Sequence, residues 1–426
     1  MAIGFIPGGR MPIKRVDHDL SQVKFKFHRY LIETVDDDGF NILENQRPVI
    51  LDYVTRKLSG YISDHSLPIS RFEADRLAEE LVDDLVGFGP LESLLKDASV
   101  SEIMVNGPNK IFFERDGKIQ HSELRFVDDN HVARVIQRIL APIGRRLDES
   151  SPMVDARMPD GSRVNAIIPP IALDGPTISI RKFRKDLLQA GDLVTYRSLN
   201  QDMLTFLRKA VGQRANILVS GGTGTGKTTF LNVLSSMINS HERIVTVEDT
   251  AELQLGHDHV VRLETRPANA EGFGEVSARD LIRNALRMRP DRIIVGEVRS
   301  YEVMDMLQAM NTGHEGSMST LHANSAADAL LRLETLVGLS GQKISEATLR
   351  AIIVSALDIV VQLSRLPNGR RCVSEIVEVV DLRDDQYATN TLFKLDRLSG
   401  EHQRISANPA KPRVIELMKQ AEAERR

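Results

Sequence analysis

"NILVSGGTGTGKTTFLNVLSSMI", residues 216–238, decides the fold. An apolar run, a glycine-rich turn and an apolar stretch of helical spacing follow one another without a break. Within it, GGTGTGKT (221–228) fits G-x-x-x-x-G-K-[ST] at every position. Glycines let the backbone curl until its N–H groups point inward at phosphate oxygens, and the helix behind them adds partial positive charge. Gly221, Gly222, Thr223, Gly224, Thr225, Gly226, Lys227, Thr228 and Thr229 are therefore the expected nucleotide cradle. Lys227 is expected to reach the β- and γ-phosphates of ATP, and Thr228 to ligate Mg²⁺. Four glycines, a Lys-Thr pair and the strand–helix context speak against a chance turn.

Working outward, apolar strands alternate with helical stretches from Asn216 onward. That pattern argues for βαβ units and a parallel sheet. In such a sheet, ligands bind outside the carboxyl ends of the strands. "RIVTVEDTAEL" (243–253) is a strand ending in Glu248 and Asp249, with Glu252 beyond. "PDRIIVGEVRS" (290–300) is a second, ending in Glu297. These acids should converge on the γ-phosphate and its metal. Hydrolysis needs one carboxylate to orient or deprotonate water and another to hold Mg²⁺, directly or through water. Acids at strand ends also serve as helix caps, and the residues alone do not say which glutamate is the base. No N-K-x-D follows the loop, which speaks against a GTPase. A ring that senses nucleotide and scaffolds assembly with little turnover is a second function class; acids placed to activate water argue against it.

"GHEGSMSTLHANS" (313–325) fails as a zincin helix, because the second histidine of H-E-x-x-H falls on Met318. It fails as a hydrolase elbow, because G-x-S-x-G ends on Thr320. A turn, a strand and a loop remain. The strand follows that of Glu297, so His322 at its end reads as a γ-phosphate sensor. His314, at the turn, reads as structural or as a subunit contact.

With 426 residues, two or three domains are expected. An apolar fraction of 42% and a charged fraction of 27% suit a soluble globular chain, and a net charge of −4 gives no basic field for nucleic acid. The lone Cys372 excludes an intramolecular disulfide and a cysteine zinc knuckle, and it reads as a small buried filler. The N-terminus has no apolar signal region, and the longest apolar run, 351–363, is too short to span a bilayer and is broken by Asp358. A cytoplasmic protein is expected, with membrane contact only peripheral.

Residues 1–12 read as mobile, and 1–70 as a helical extension with helices near 19–35 and 44–60. Ser70 and Glu73 form a capping box that opens a small α+β domain, 71–185. A linker is expected over 186–197 and a second capping box at "SLNQ" (198–201). The ATPase domain follows over 198–426, closing on an exposed helix. "KFKFHRYL" (24–31) alternates basic and apolar residues, as a solvated helix face or a surface for anionic lipid or a platform protein would. "RKFRK" (181–185) fits a hinge and is too short for a nucleic-acid patch.

The motif set resembles the hexameric secretion ATPases that drive type II and type IV secretion and type IV pili, the GspE/PulE-like superfamily. GGTGTGKT, VEDTAEL, RIIVGEVR and GHEGSMSTLHANS are similar to its phosphate-binding loop, its Asp box, its Walker B motif with Gly-Glu for Asp-Glu, and its His box. The resemblance implies an α/β fold: a RecA-like P-loop NTPase C-terminal domain, a smaller α+β (PAS-like) N-terminal domain and a helical N-terminal extension. It implies Glu248 as the water-activating base, Glu297 as the Walker B acid near Mg²⁺ and His322 against the γ-phosphate. "DARMPDGSRVNA" (155–166) and "SIRKF" (179–183) look like the segments that bring arginines to the nucleotide, here Arg157, Arg163 and Arg181. An arginine against the γ-phosphate is worth about a thousandfold in rate and ties hydrolysis to domain closure.

Stretches 81–119 and 146–170 are similar to the CpaF/TadA-type ATPases of tight-adherence (Tad/Flp) pili. Type II secretion and pilus-extension motors carry a four-cysteine motif that one cysteine cannot supply. Conjugation ATPases generally lack a long helical extension. The resemblance therefore implies a homo-hexameric motor that hydrolyses ATP to assemble a Tad or type IV-like pilus. Its implied partners are integral membrane platform proteins at the inner face of the cytoplasmic membrane. A type II, type IV secretion or conjugation ATPase is the alternative.

Overall fold

The computed structural model describes residues 20–40, 45–115, 117–143, 145–183, 188–268, 273–339, 344–406 and 408–423. The stretch 1–12 expected to be mobile, and residues 184 and 185 of the RKFRK segment, lie outside them. The chain divides into two compact units, residues 1–182 and 183–426.

The first unit opens with α1 (Leu20–Asp37), α2 (Arg47–Asp64) and α3 (Arg71–Val86). Phe27, Leu31, Ile50, Val54, Leu81 and Val82 close their common core. The capping box forms as expected: Ser70 N donates to the Glu73 carboxylate at 2.8 Å and Glu73 N to Ser70 Oγ at 3.2 Å. Helix α3, expected with the α+β domain, instead packs its apolar face on α1 and α2. In the KFKFHRYL stretch the described apolar residues Phe27 and Leu31 turn into the core of the three helices. Phe27, His28 and Leu31 fall on one helical face and are buried, while Lys24 pairs with Asp84 at 3.1 Å and Glu80 at 3.2 Å.

Beyond α4 (Glu92–Lys96) come β1 (Val100–Asn106), β2 (Ile111–Arg115), β3 (Lys118–His121), α5 (Asp129–Leu140), β4 (Met153–Arg157), β5 (Arg163–Ile167) and β6 (Thr177–Arg181). The strands form one antiparallel sheet in the order β3-β2-β1-β6-β5-β4. Ile103, Val105, Val164, Ala166, Ile178 and Ile180 pack on Val132, Val135, Ile136 and Ile139 of α5. The opposite face includes exposed Ile119 and Met153. Strand β4 was not expected; its half-exposed residues give no clean alternation.

The second unit runs through α6 (Ala190–Thr195), α7 (Gln201–Gly212), β7 (Ile217–Gly221), α8 (Lys227–Ser235), β8 (Ile244–Glu248), β9 (Val260–Glu264), α9 (Ala278–Ala285) and β10 (Arg292–Val295). It continues with α10 (Glu302–Asn311), β11 (Met318–Leu321), α11 (Ala326–Leu339), α12 (Glu346–Ala356), β12 (Ile359–Arg365), β13 (Arg371–Arg383), β14 (Gln386–Leu395), β15 (His402–Arg404) and α13 (Pro412–Ala423). The sheet order is β15-β14-β13-β12-β7-β11-β10-β8-β9. The six strands from β12 to β9 are parallel, as the βαβ reading expects, and β13–β15 add an antiparallel edge. Helices cover both faces. Leu218, Val245 and Val247 look toward α9–α12, whereas Ile217, Val219 and Ile244 look toward α6, α7 and α8.

Three local expectations change. Part of the expected linker 186–197 is helix α6, whose Leu193 is buried in the second unit's core. The cap of α7 is Asn200, not Ser198: Met203 N donates to Asn200 Oδ1 at 2.9 Å, while Ser198 Oγ donates to Arg371 O at 2.9 Å. Helix α13 is not simply exposed: Val414 is buried, and Leu417 and Met418 pack on the core beside α7. Cys372 is buried, as a small filler should be.

Candidate nucleotide site

Strand β7 delivers the chain to the glycine-rich loop, and α8 leaves it. Gly224 and Gly226 sit at φ +70° and +93°, a region L side chains rarely adopt, so the loop curls where the motif places glycine. Thr225 Oγ1 donates to Gly222 O at 2.8 Å and closes the turn. Gly226 caps α8, so Lys227, Thr228 and Thr229 form its first turn, where free N–H groups collect. Lys227 Nζ folds over the loop, donating to Gly221 O at 3.0 Å and Gly222 O at 3.3 Å. Thr223 and Thr229 are exposed and Thr228 is half-buried.

The two expected acids arrive side by side because β8 and β10 are parallel neighbours, with Val247 paired to Val295. One residue on, Glu248 packs against Gly296: a Cβ there would lie 3.0 Å from Glu248 Cγ. A side chain at position 296 would therefore crowd Glu248, which accounts physically for Gly-Glu rather than Asp-Glu here. Glu248 is 4% exposed. Its Oε2 accepts from Glu252 N and Leu253 N, both at 2.8 Å, and so folds the following loop over itself. Its Oε1 is buried without a hydrogen-bond partner. Burial pushes the Glu248 carboxyl up to about 7, against the pull of the two backbone N–H groups.

Glu297 is held differently. Its Oε1 lies 3.6 Å from Lys227 Nζ, and its Oε2 accepts from Arg299 Nε at 2.8 Å and from Arg299 Nη2. Arg299 Nη1 reaches Asp249 Oδ2 at 3.4 Å. Strand β11 lies between β7 and β10, so His322, exposed just past its end, shares the cradle's edge of the sheet. Thr320 Oγ1 donates to Gly296 O at 2.7 Å and ties that strand to the turn before Glu297. His314 lies at the other end of β11, in a structural turn: Ser317 Oγ donates to His314 O at 2.7 Å and Gly316 N to Asn216 Oδ1 at 2.8 Å.

The three arginines lie in the first unit and in one row. Arg157 faces Arg163 across β4–β5, and Arg163 faces Arg181 across β5–β6. Directly opposed residues of antiparallel strands share a face, so the three guanidinium stems rise from the side away from α5. Arg181 Nε lies 3.9 Å from Glu102 Oε1, and Arg157 Nε donates to Gly161 O at 3.4 Å.

Two features escaped the sequence. Arg299 stands two residues past Glu297, a signal visible as G-E-x-R but not used. Arg365 and Arg371, paired across β12–β13, flank the cradle. Arg365 Nη1 lies 3.9 Å from where a Cβ on Gly224 would be, and Arg371 Cδ 3.6 Å from one on Gly226. Only the strand pairing brings them there.

Comparison with known proteins agrees with this architecture. The family described as "Type II/IV secretion system protein" matches residues 84–418. A putative conjugal transfer protein of Mycobacterium tuberculosis is 38% identical over 320 residues, covering 74% of this chain and 90% of that protein. The conjugal transfer protein TrbB of Rhizobium radiobacter is 34% identical, over 71% of this chain and 90% of the relative. The type IV secretion system protein VirB11 of Bartonella quintana is 31% identical, over 67% and 90%. Among solved structures, the pilus retraction motor PilT with bound ADP aligns at a TM-score of 0.50 and 19% identity, over 78% of this chain and 87% of that one, a likeness of fold alone.

Proposed function

The chain belongs to the type II/IV secretion system protein family, and from that membership we propose that it is the ATP-hydrolysing motor of a conjugation or type IV secretion machine. The chemistry is ATP hydrolysis. The observation that carries the reading is the meeting of Lys227, Glu248 and Glu297 at one edge of the parallel sheet. The tight-adherence pilus reading rests on stretches 81–119 and 146–170 alone. The relatives with conjugal-transfer and type IV secretion names span 90% of their own length in the match, which favours the conjugation reading. The helical extension that spoke against conjugation lies mostly before the matched residues, which begin at 84.

In this reading Lys227 and the loop N–H groups hold the β- and γ-phosphates. Mg²⁺ fits the site by its donor set: the Thr228 hydroxyl stands in the first turn of α8 and the Glu297 carboxylate lies across from Lys227. Bound there, the ion neutralises phosphate charge. Glu248 is the general base, since one oxygen is fixed by backbone N–H groups and the other is free to accept a proton from water. His322 reads the γ-phosphate. Arg157, Arg163 and Arg181 supply positive charge to it from the first unit, as one row rather than three separate contacts. The working form is a homo-hexamer that passes its motion to integral membrane platform proteins from the cytoplasmic side. Among the described residues no helix is long and apolar enough to cross a membrane.

Phosphate release by the wild-type chain and by Lys227→Ala tests the motor reading; release that survives the substitution sinks it. Mass measurement with and without a non-hydrolysable ATP analogue tests the ring, and a monomer in both conditions overturns it.

A further inference from the structure

Both carboxylate oxygens of Glu297 are engaged by cations. Lys227 faces Oε1 at 3.6 Å, and Arg299 reaches Oε2 through Nε at 2.8 Å and through Nη2. The same guanidinium extends Nη1 to Asp249 at 3.4 Å, so one side chain spans the turn after β10 and the loop after β8. Its backbone is fixed. Arg299 N donates to Glu302 Oε1 at 2.5 Å and Ser300 N to the same oxygen at 2.9 Å, and Glu302 is 7% exposed. The side chain is 55% exposed. Arg299 is thus a charged arm on a rigid base, over the carboxylate that a divalent cation would need.

We propose that Arg299 is a positioning residue of the ATP site. It clamps Glu297 to Asp249 while the phosphates are absent, and it competes with a divalent cation for the Glu297 carboxylate. This rests on the ATPase reading above. When phosphate oxygens draw Lys227 away, Glu297 loses one cation, and Arg299 alone then sets whether the carboxylate can turn to a metal. Arg299 yields Glu297 and keeps Asp249, so the loop that follows Glu248 stays in register with the turn carrying Glu297. Arginine suits this role and lysine does not, because only a planar fork addresses two carboxylates at once.

The test uses the full chain and two readouts: binding of a fluorescent ADP across a Mg²⁺ titration, and steady-state ATP hydrolysis. Arg299→Gln should lower the Mg²⁺ concentration for half-saturation about three- to tenfold, because a competing charge is gone. Its kcat should fall about tenfold, because the loop after Glu248 loses its anchor, through Asp249, to the turn after β10. Arg299→Lys should restore the Mg²⁺ dependence and leave kcat low. Asp249→Asn should move the Mg²⁺ dependence the other way, since Arg299 then rests wholly on Glu297. That opposition of sign is something a merely structural arginine would not produce, and the Asp249→Asn shift against wild type stays readable if Arg299→Gln fails to fold. An unchanged Mg²⁺ half-saturation in Arg299→Gln, or shifts of the same sign in both variants, overturns the proposal. A wild-type chain that binds ADP without turning over ATP overturns the motor reading instead, and the binding titration still decides Arg299.

Discussion

The two sheets of this molecule follow opposite rules. In the nine-stranded sheet every residue of β7, β8, β10 and β11 is buried, because helices cover both faces. In the six-stranded sheet β5 and β6 alternate, with Val164, Ala166, Ile178 and Ile180 buried and Asn165, Ser179 and Arg181 exposed. A sheet covered on both sides can act only at its ends, and there the cradle, Glu248, Glu297 and His322 collect. A sheet covered on one side can act with a whole face, and there Arg157, Arg163 and Arg181 line up. The second unit therefore gathers its candidate site at the strand ends, and the first carries a row of three arginines on one face.

The largest expected effect lies at the strand ends: Lys227→Ala should lower phosphate release about a thousandfold or more. Next comes Glu248→Gln, which should lower kcat about 10²- to 10⁴-fold. Burial favours the neutral acid, so wild-type kcat should climb as pH rises through about 7, and Glu248→Gln should flatten that limb. A rising limb that persists in the variant would give the base role to another group. The first unit is tested by Arg163→Gln, the middle of the row. It should cost about a hundredfold, less than a lone arginine would, because Arg157 and Arg181 remain. A loss under threefold would take the open face out of the chemistry. Gly296→Ala should lower kcat about tenfold by pushing Glu248 aside, with thermal unfolding nearly unchanged. The smallest effects separate the sheets by stability. Leu218→Ala, buried between β7's neighbours and helices, should cost about 2–5 kcal/mol by chemical denaturation. Ile119→Ser on the open face should stay within about 0.5 kcal/mol. Equal costs would mean the open face is covered in solution.

What was legible and what was not divides by locality. The capping box of α3 lies within four consecutive residues and was read correctly. The cap of α7 was misread, because Arg197 takes φ +54° and turns Ser198 away to Arg371, a partner 173 positions along the chain. The basic–apolar stretch 24–31 was open between solvent and lipid, and the burial of its Phe27 and Leu31 is decided by α2 and α3. Strands β14 and β15 carry partial burial and no helix between them, so the βαβ pattern did not announce their antiparallel edge.

By itself the sequence determined the glycine-rich loop between β7 and α8, the apolar runs that become β8 and β10, and the parallel sheet they belong to. Each of these is written in neighbouring residues: glycines that bend one loop, and apolar runs with no polar alternation. Only the tertiary structure decided that Glu248 packs on Gly296, that Arg299 bridges Glu297 and Asp249, and that three arginines from three strands form one row. These depend on strand order and register, which arise from contacts between segments far apart in the chain and leave no periodic mark within any one of them.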